Sequence, residues 1–472
     1  MHSCHEKRYG SKVVSKILLF DIGSTYTKAI AIDTVKAEFL GSARAFTTVA
    51  TDINDGLTSA KQMLKNVTNI EEFDETYACS SAAGGLKMIA IGLVGELTAE
   101  AAKMAALSAG AKLLKTFCFE LSESEIKEIK RLSPDIILLC GGTNGGNKEV
   151  LIANAKHLAD AKMSCLIIVA GNKTAESEIC RIFEKSKTDF VLTENVMPKL
   201  NELNIVPAKE TIRKIFLDRI VRAKGMTKVE SVVNGILMPT PSAVMNSVNL
   251  LSKGTKKVSG IGEVVLIDIG GATTDVFSVC SGMPDSGNVV FKGLPEPFSK
   301  RTVEGDLGVR YTASSVIDEC GLEAFCEYSK LNEESVKAIL TKIDLDKSYL
   351  SKDKDDIAFE SALVAISMEI ALCRHSGTIG EIYTPMGLAY VQTGKNLCEV
   401  KYVIATGGSF LCAKNKKEIF DLVLKNKKGI LKPIKPKLAY DKNYLFAGIG
   451  LIADKYPEVA IKILMSNLED II

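Results

Sequence analysis

The sequence predicts an α/β protein made of a duplicated two-lobed body with a β/α domain inserted into its first half. Three observations predict it. One segment occurs twice, as Ile17-Leu-Leu-Phe-Asp-Ile-Gly-Ser-Thr-Tyr-Thr-Lys-Ala and Val264-Val-Leu-Ile-Asp-Ile-Gly-Gly-Ala-Thr-Thr-Asp-Val, each reading as strand, Asp, glycine turn, strand. Between the copies, Thr76 to Thr193 alternates strand-like runs with helical stretches, the pattern of a β/α unit. The 472 residues also exceed what a single core usually holds.

In each copy a β-rich stretch follows the repeat, Ala37 to Thr48 and Asn288 to Gly293, so each half is expected to open as a three-stranded antiparallel meander. Inserted strands are expected at Tyr77 to Cys79, Leu113 to Phe119, Asp135 to Cys140, Cys165 to Ala170 and Asp189 to Thr193, with Gly95 to Leu107 helical. The longest weakly polar stretch, Met88 to Leu114, is interrupted by Glu96, Glu100 and Lys103 and reads as a soluble helix rather than a membrane span. Apolar residues at helical spacing from Lys209 to Lys224 predict an amphipathic helix leading back to the main body, and Pro433 to Pro436 an exposed turn. The expected units are 14–75 (first lobe), 76–208 (inserted domain), 209–260 (connecting helices), 261–440 (second lobe) and 441–472 (C-terminal connecting helix).

Composition excludes several classes. With 46% hydrophobic and 25% charged residues the chain is expected to bury a large core. Lys+Arg of 59 against Asp+Glu of 57 leaves +2 with no basic block, which argues against a nucleic-acid partner. Twelve scattered cysteines without a C-x-x-C pair suit a reducing cytosol, and Cys320 with Cys326 lacks a nearby His to complete a metal set. His2, Cys4 and His5 read as a solvated tail, and Ile17 to Phe20 is too short for a signal-peptide core, so a cytoplasmic location is expected. His157 is expected to be structural or at the surface, and Arg374-His375 at the surface.

The chemistry sits in the repeat. Each copy leaves a buried strand at an Asp (Asp21, Asp268) and turns through Gly and Ser/Thr: Gly23, Ser24, Thr25, Tyr26 and Thr27 in one, Gly270, Gly271, Thr273 and Thr274 in the other. Such turns offer backbone N–H groups and hydroxyls to phosphate oxygens, because Gly adds no side chain to block approach. A carboxylate beside phosphate is repelled unless Mg2+, bound through water, lies between them. The pair of turns therefore implies a Mg-nucleotide held by both lobes, with Asp21 and Asp268 on the metal side and Asp21, Asp268 and Asp275 as catalytic candidates.

Asp21 to Thr27 and Asp268 to Asp275 resemble the two phosphate motifs of the actin, Hsp70 and sugar-kinase superfamily, which implies a duplicated actin-like (ribonuclease H-like) ATPase fold. Val403-Ile-Ala-Thr-Gly-Gly-Ser resembles its adenosine motif, implying nucleoside contacts at Gly407, Gly408 and Ser409. Gly235-Ile-Leu-Met-Pro-Thr-Pro and Tyr444-Leu-Phe-Ala-Gly-Ile-Gly resemble its two connecting helices, with Ala243 and Gly448 marking the hinge. The Hsp70 branch has a water-activating Glu just before Pro-Thr; here Met238 stands there, which implies slow hydrolysis with water oriented by Asp268 or Asp275.

Within that superfamily the chain is most similar to the MutL/GlmL-type accessory proteins of glutamate mutase and related adenosylcobalamin-dependent aminomutases. The residues are Leu19-Phe-Asp-Ile-Gly-Ser-Thr-Tyr-Thr-Lys, Ser80-Ser-Ala-Ala-Gly-Gly-Leu, Leu139-Cys-Gly-Gly-Thr-Asn-Gly-Gly-Asn, Met238-Pro-Thr-Pro, Ile267-Asp-Ile-Gly-Gly-Ala-Thr-Thr-Asp and Arg301-Thr-Val-Glu-Gly-Asp-Leu-Gly. The resemblance implies an ATP-dependent reactivating factor that exchanges damaged cobalamin on a partner aminomutase. Other readings of the same superfamily are a hydantoinase/oxoprolinase-like enzyme, a small-molecule kinase, a radical-dehydratase activase and a nucleotide-gated filament. The Cys140-to-Asn147 loop reads as a strand-to-helix turn, expected beside the Ser80 loop at one edge of the inserted sheet, where the partner would dock.

Overall fold

The computed structural model describes residues 14–23, 26–47, 53–81, 86–222, 237–284, 287–347, 349, 353–385 and 387–471. The first repeat folds into β1 (Lys16–Ile22), β2 (Tyr26–Asp33) and β3 (Glu38–Phe46), followed by the helix Ile53–Thr68 and β4 (Glu75–Ser80). β2 runs antiparallel to β1 and β3, and β4 lies parallel to β1. The inserted unit is an all-parallel sheet of β5 (Lys87–Gly92), β6 (Lys112–Cys118), β7 (Ile136–Leu139), β8 (Leu166–Val169) and β9 (Phe190–Leu192), ordered β6-β5-β7-β8-β9, a doubly wound arrangement. The chain returns through the helix Val206–Arg222 to β10 (Leu237–Pro239), which joins β4 and completes the order β10-β4-β1-β2-β3.

The second copy runs β11 (Val264–Ile269), β12 (Thr274–Val279), β13 (Val289–Lys292) and β14 (Ser299–Glu304), then four helices ending with Lys354–His375. It continues with β15 (Thr378–Thr384), β16 (Gly387–Thr393), β17 (Tyr402–Thr406), β18 (Lys437–Asp441) and β19 (Leu468–Asp470). Its sheet is ordered β14-β12-β11-β17-β18-β19. Counted from the start of each repeat, both sheets share the order third-second-first-fourth-fifth: a duplicated actin-like fold with an inserted β/α domain.

Three expectations are corrected. The third strand of the second meander is β14; Asn288 to Gly293 forms β13 of a separate three-stranded sheet with β15 and β16. Tyr77 to Cys79 belongs to β4 of the first lobe, so the inserted unit begins after Ser80, not at Thr76. Met88 to Leu114 is not one helix: it comprises β5, a turn of π-helix at Gly95–Ala99, the helix Glu100–Ser108 and the start of β6. A central parallel strand buried on both faces reads as a continuous apolar run, which periodicity alone does not separate from a buried helix. The His2, Cys4 and His5 tail lies outside the described residues, and among those described no helix is long and apolar enough to cross a membrane.

Strand alternation divides the core. Ile17, Leu19, Ile30, Ile32, Tyr77 and Cys79 on one sheet and Val264, Leu266, Phe277, Val279, Ile404 and Ala439 on the other face inward around the two connecting helices as one inter-lobe core. The opposite faces pack on their own helices, Leu18, Phe20 and Ala29 in the first lobe and Val265, Ile267 and Val276 in the second. Between the lobes cross the helices Thr240–Lys253 and Phe446–Gly450. Their crossing pairs Ala243 with Gly450 rather than with Gly448: a Cβ on Gly450 would overlap the Ala243 carbonyl, whereas one on Gly448 would press on Ile30, 2.6 Å away. Consecutive even positions on a helix point in different directions, and only one of the two glycines meets the partner helix.

His375 is also corrected, from surface to core. It is fully buried, with Nε2 and Nδ1 each 2.8 Å from the hydroxyls of Ser278 and Thr302. Burial and the charges of Lys300 and Lys395 hold its pKa well below the ordinary 6.5, so it is neutral in the fold. The unfolded chain takes up a proton that the folded chain refuses, so stability falls as pH drops below 6.5. This group should cost about 1.4 kcal/mol per pH unit there, and His375→Gln should flatten that part of a thermal-denaturation pH series. Gly450→Val should destabilise by about 1–3 kcal/mol or more in urea unfolding, while Gly305→Ala, exposed and with open space where a Cβ would stand, should cost less.

Candidate functional site

The two Asp-Ile-Gly segments fold into matching turns. Gly23 N donates to Tyr26 O at 3.0 Å, and Gly270 N donates to Thr273 O at 2.9 Å. Strand register then lines up the flanking residues. Asp21 stands opposite Lys28 on β2 and beside Cys79 on β4, and Cys79 stands beside Met238 on β10. In the second sheet Asp268 stands opposite Asp275 on β12 and beside Thr406 on β17, whose hydroxyl donates to Asp441 on β18 at 2.9 Å. Register partners share a face, so the rows Lys28-Asp21-Cys79-Met238 and Asp275-Asp268-Thr406-Asp441 both face the opposite lobe, where the inter-lobe core ends.

Asp21 is buried, and its Oδ1 accepts from Thr240 Oγ1 at 2.9 Å and Cys79 Sγ at 3.4 Å. Burial raises its pKa; the bonds from Thr240 and Cys79 and the Lys28 charge oppose that rise. Asp268 is half-buried at the end of the inter-lobe core, and burial raises its carboxyl well above the usual carboxylate range. The charges of Asp275, Asp21 and Asp441 push the same way, and Arg301 pulls back. Asp21 and Asp268, one per lobe, therefore lie within range of mutual repulsion.

Two cations balance the acids differently. In the first lobe Lys28 Nζ donates to the carbonyls of Asn443 and, at 2.7 Å, Tyr444; burial lowers its pKa to about 8 against the charges of Asp441 and Asp21. In the second lobe the position equivalent to Lys28 is itself an acid, Asp275, and Arg301 on β14 pairs with it, Nε at 2.7 Å and Nη2 at 2.6 Å from Oδ1. Asp441 accepts from Leu445 N and Phe446 N at 2.8 and 3.2 Å, which fixes the start of the helix Phe446–Gly450. Tyr444, just before that helix, has φ +55, a strained backbone for a bulky residue, and the Asp268 charge, followed by burial, pushes its phenol pKa up.

The expected site residues divide accordingly. Asp21, Asp268 and Asp275 converge, and Gly23 and Gly270 close the turns; Ser24 and Thr25 lie outside the described residues. The Tyr26 ring rests against Phe46 at 4.6 Å. Thr27 and Thr274 face away from the cleft, bonded to Thr47 Oγ1 at 2.9 Å and Leu307 O at 2.6 Å, because they sit one residue out of phase with Lys28 and Asp275. Thr273 Oγ1 donates to Asp275 at 3.3 Å, and Gly271 O accepts from Arg310 N and Tyr311 N at 2.8 and 2.9 Å. Gly407, at φ +107, packs so closely on β11 that a Cβ would overlap the Ile269 carbonyl; Gly408 beside it faces open space, and Ser409 follows in a short helix.

Sequence reading missed Lys28, Thr240, Arg301, Asp441 and Tyr444. All of these but Asp441 stood inside quoted motifs, and the alternation from Asp21 already put Lys28 on its face. Arg301 and Asp441 enter through long-range strand pairing, which carries no local signal. The Ser80 loop also moves: Ser80 ends β4 with its hydroxyl 3.4 Å from Ile22 O, so this loop starts beside the first acidic turn rather than at the inserted sheet's edge. Its residues 82–85 lie outside those described.

The donor chemistry, oxygen rather than nitrogen or sulfur, is of the type Mg2+ takes. The converging groups are hard carboxylate oxygens crowded enough to repel one another, and among the described residues no group of three or more His, Cys, Asp or Glu side chains is set to ligate a metal directly. The family model described as MutL protein matches residues 17–468. A curated relative, "Protein MutL" of Clostridium tetanomorphum, is 46% identical over 458 residues, covering 96% of this chain and 98% of its own. Solved structures with similarity include a nucleotide-free acetone carboxylase, with TM-score 0.43 and 13% identity over 93% of this chain and 70% of that one. Another is gluconate kinase from Lactobacillus acidophilus, with TM-score 0.34 and 10% identity over 97% of this chain and 93% of that one. By the family match and by identity along nearly its whole length, the chain belongs to the MutL protein family.

Proposed function

We propose that this protein is a slow Mg-dependent ATPase that acts as a chaperone-like reactivating factor, exchanging damaged cobalamin on an adenosylcobalamin-dependent aminomutase of the glutamate mutase type. The observation that carries the nucleotide site is the convergence of Asp21 and Asp268 from two turns closed by the same hydrogen bond. Family membership supports the partner class.

In this reading both turns present backbone N–H groups to the phosphates, and the open floor at Gly408 receives the nucleoside. Thr240 orients Asp21, and Lys28 offers an ammonium that phosphate oxygens would attract. Asp21 and Asp268 would hold Mg2+ through water, and the ion would supply neutralisation of phosphate charge. With Met238 buried in the inter-lobe core and its sulfur 3.8 Å from Arg213 and Asn246 nitrogens, proton acceptance from water falls to Asp268 or Asp275. Tri- and diphosphate make different contacts with the two lobes and so bias open and closed populations differently. Taking the lobes from mostly open to mostly closed needs about 5.5 kcal/mol of differential affinity, within reach of several charge-assisted contacts. That change would open the partner's cobalamin site.

Asp21→Asn and Asp268→Asn should each lower ATP turnover by about 100-fold or more in a phosphate-release assay with Mg2+; normal turnover in both would sink the site. ATP turnover should rise when a cobalamin-inactivated aminomutase is added, and rescue of that mutase without ATP would exclude the reactivation role. Lys28 is charged below about 8 and neutral above it, so nucleotide affinity should fall as pH rises through that value and lose that slope in Lys28→Gln. Met238→Glu should raise turnover above the parent if a missing base limits hydrolysis.

A further inference from the structure

The inserted domain meets both lobes beside the acidic turns at the C-terminal end of its helix Glu100–Ser108. The last carbonyls of a helix lack intrahelical donors and need partners from elsewhere. Backbone N–H groups of Ala109, Gly110 and Ala111 cap the carbonyls of Ala105, Ala106 and Leu107, and the two lobes add side-chain donors to Leu107 and to the turn just beyond it. From the second lobe, Arg301 Nη1 donates to Leu107 O at 3.2 Å and Ala111 O at 3.4 Å. From the first connecting helix, Ser242 Oγ donates to Ala109 O at 3.3 Å. Gly110 presses on Pro239, where a Cβ would stand 2.9 Å from the proline ring. Leu294 of the second lobe also packs into the inserted domain's core.

Arg301 is tied directly to one of the acids, and Ser242 to the other through the start of its helix. Arg301 grips Asp275 with its other nitrogens, and it is only 7% exposed. Ser242 lies two residues beyond Thr240, whose hydroxyl holds Asp21. One short turn, Ala109 to Ala111, is thus held by a group bonded to the second-lobe acid and by a helix whose start is bonded to the first-lobe acid. Any change in the separation of Asp21 and Asp275 must stretch, break or rotate this turn, because packed interfaces switch between arrangements rather than deform continuously.

We propose that Arg301 is a positioning residue that couples nucleotide occupancy at the cleft to the orientation of the inserted domain, with Ala109 to Ala111 as the relay. The inference rests on the nucleotide-site reading above. It extends that reading by naming the route from cleft to inserted domain. Linkage is reciprocal: if the nucleotide shifts the inserted domain, a partner that holds that domain in one orientation shifts nucleotide affinity by the same factor.

The test is amide hydrogen exchange on the full chain at residues 105–113, with and without saturating Mg-ATP, each variant's nucleotide binding being measured first by calorimetry. The parent should show about a fivefold or larger nucleotide-dependent change in exchange there. Arg301→Lys keeps a cation beside Asp275 but lacks the second arm for the carbonyls, and it should reduce that change to less than about twofold while still binding nucleotide. Ser242→Ala should reduce it partially. A purely structural role for Arg301 would alter exchange equally in both states, and that result overturns the proposal, as does a parent that binds Mg-ATP without any change at 105–113. A parent that binds no nucleotide overturns the underlying site reading, and calorimetry separates that failure from the others. Should Arg301→Lys fold poorly, Arg301→Gln is read in the same two states with the same criteria.

Discussion

Four carboxylates from two lobes meet at the end of a shared hydrophobic core, and the electrostatic strain of that meeting organises the rest of the molecule. Asp268 is held far from its ordinary ionisation by burial and by Asp275, Asp21 and Asp441. A like-charged cluster persists in a fold only where something relieves it: a cation, a proton or a ligand that arrives with its own positive charge. Lys28 and Arg301 provide part of that relief, and each does so while bonded to backbone carbonyls outside its own sheet, Lys28 to Asn443 and Tyr444 and Arg301 to Leu107 and Ala111. The inter-lobe core of apolar residues brings the two sheets face to face, and the acids lie one step beyond it on the same alternating faces. The geometry that packs the lobes is therefore the geometry that crowds the charges.

The duplication is close in backbone and unequal in chemistry. Both sheets share the order of five strands, to which the second adds β19 at its edge, and both turns close with the same Gly-to-carbonyl bond. Across the equivalent rows, Lys28 is matched by Asp275, Cys79 by Thr406 and Met238 by Asp441. The first row holds one acid and one base among apolar neighbours, whereas the second holds three acids and needs Arg301 from the edge strand β14. That edge is where the inserted domain docks, so the second lobe's charge balance and the inserted domain's attachment share a single guanidinium.

The sequence made the repeat, its turns and the alternating inserted unit legible, because each is a local pattern: a buried run ending in Asp-Ile-Gly, or strands and helices in succession. It also carried, unread, the phase that puts Lys28 on the face of Asp21 and turns Thr27 and Thr274 away. What it hid depends on distant pairing. Nothing local in Val289–Lys292 or Ser299–Glu304 says which becomes the third strand, and only pairing of β14 with β12 brings Arg301 to Asp275. β5 was hidden for another reason: a strand covered on both faces has no polar side to betray its period. The burial of His375 rests on Ser278 and Thr302, hydroxyls on two other strands that its own helix gives no sign of.

The central claim is that Asp21 and Asp268 act on one ligand and not as two independent groups. A double-mutant cycle measures this directly, with Mg-ATP affinity determined by calorimetry for the parent, Asp21→Asn, Asp268→Asn and the double variant. Groups sharing one ligand should be non-additive by about 1 kcal/mol or more, within the usual range for residues in one network. Losses that simply add, or a parent that takes up no Mg-ATP, would contradict the account.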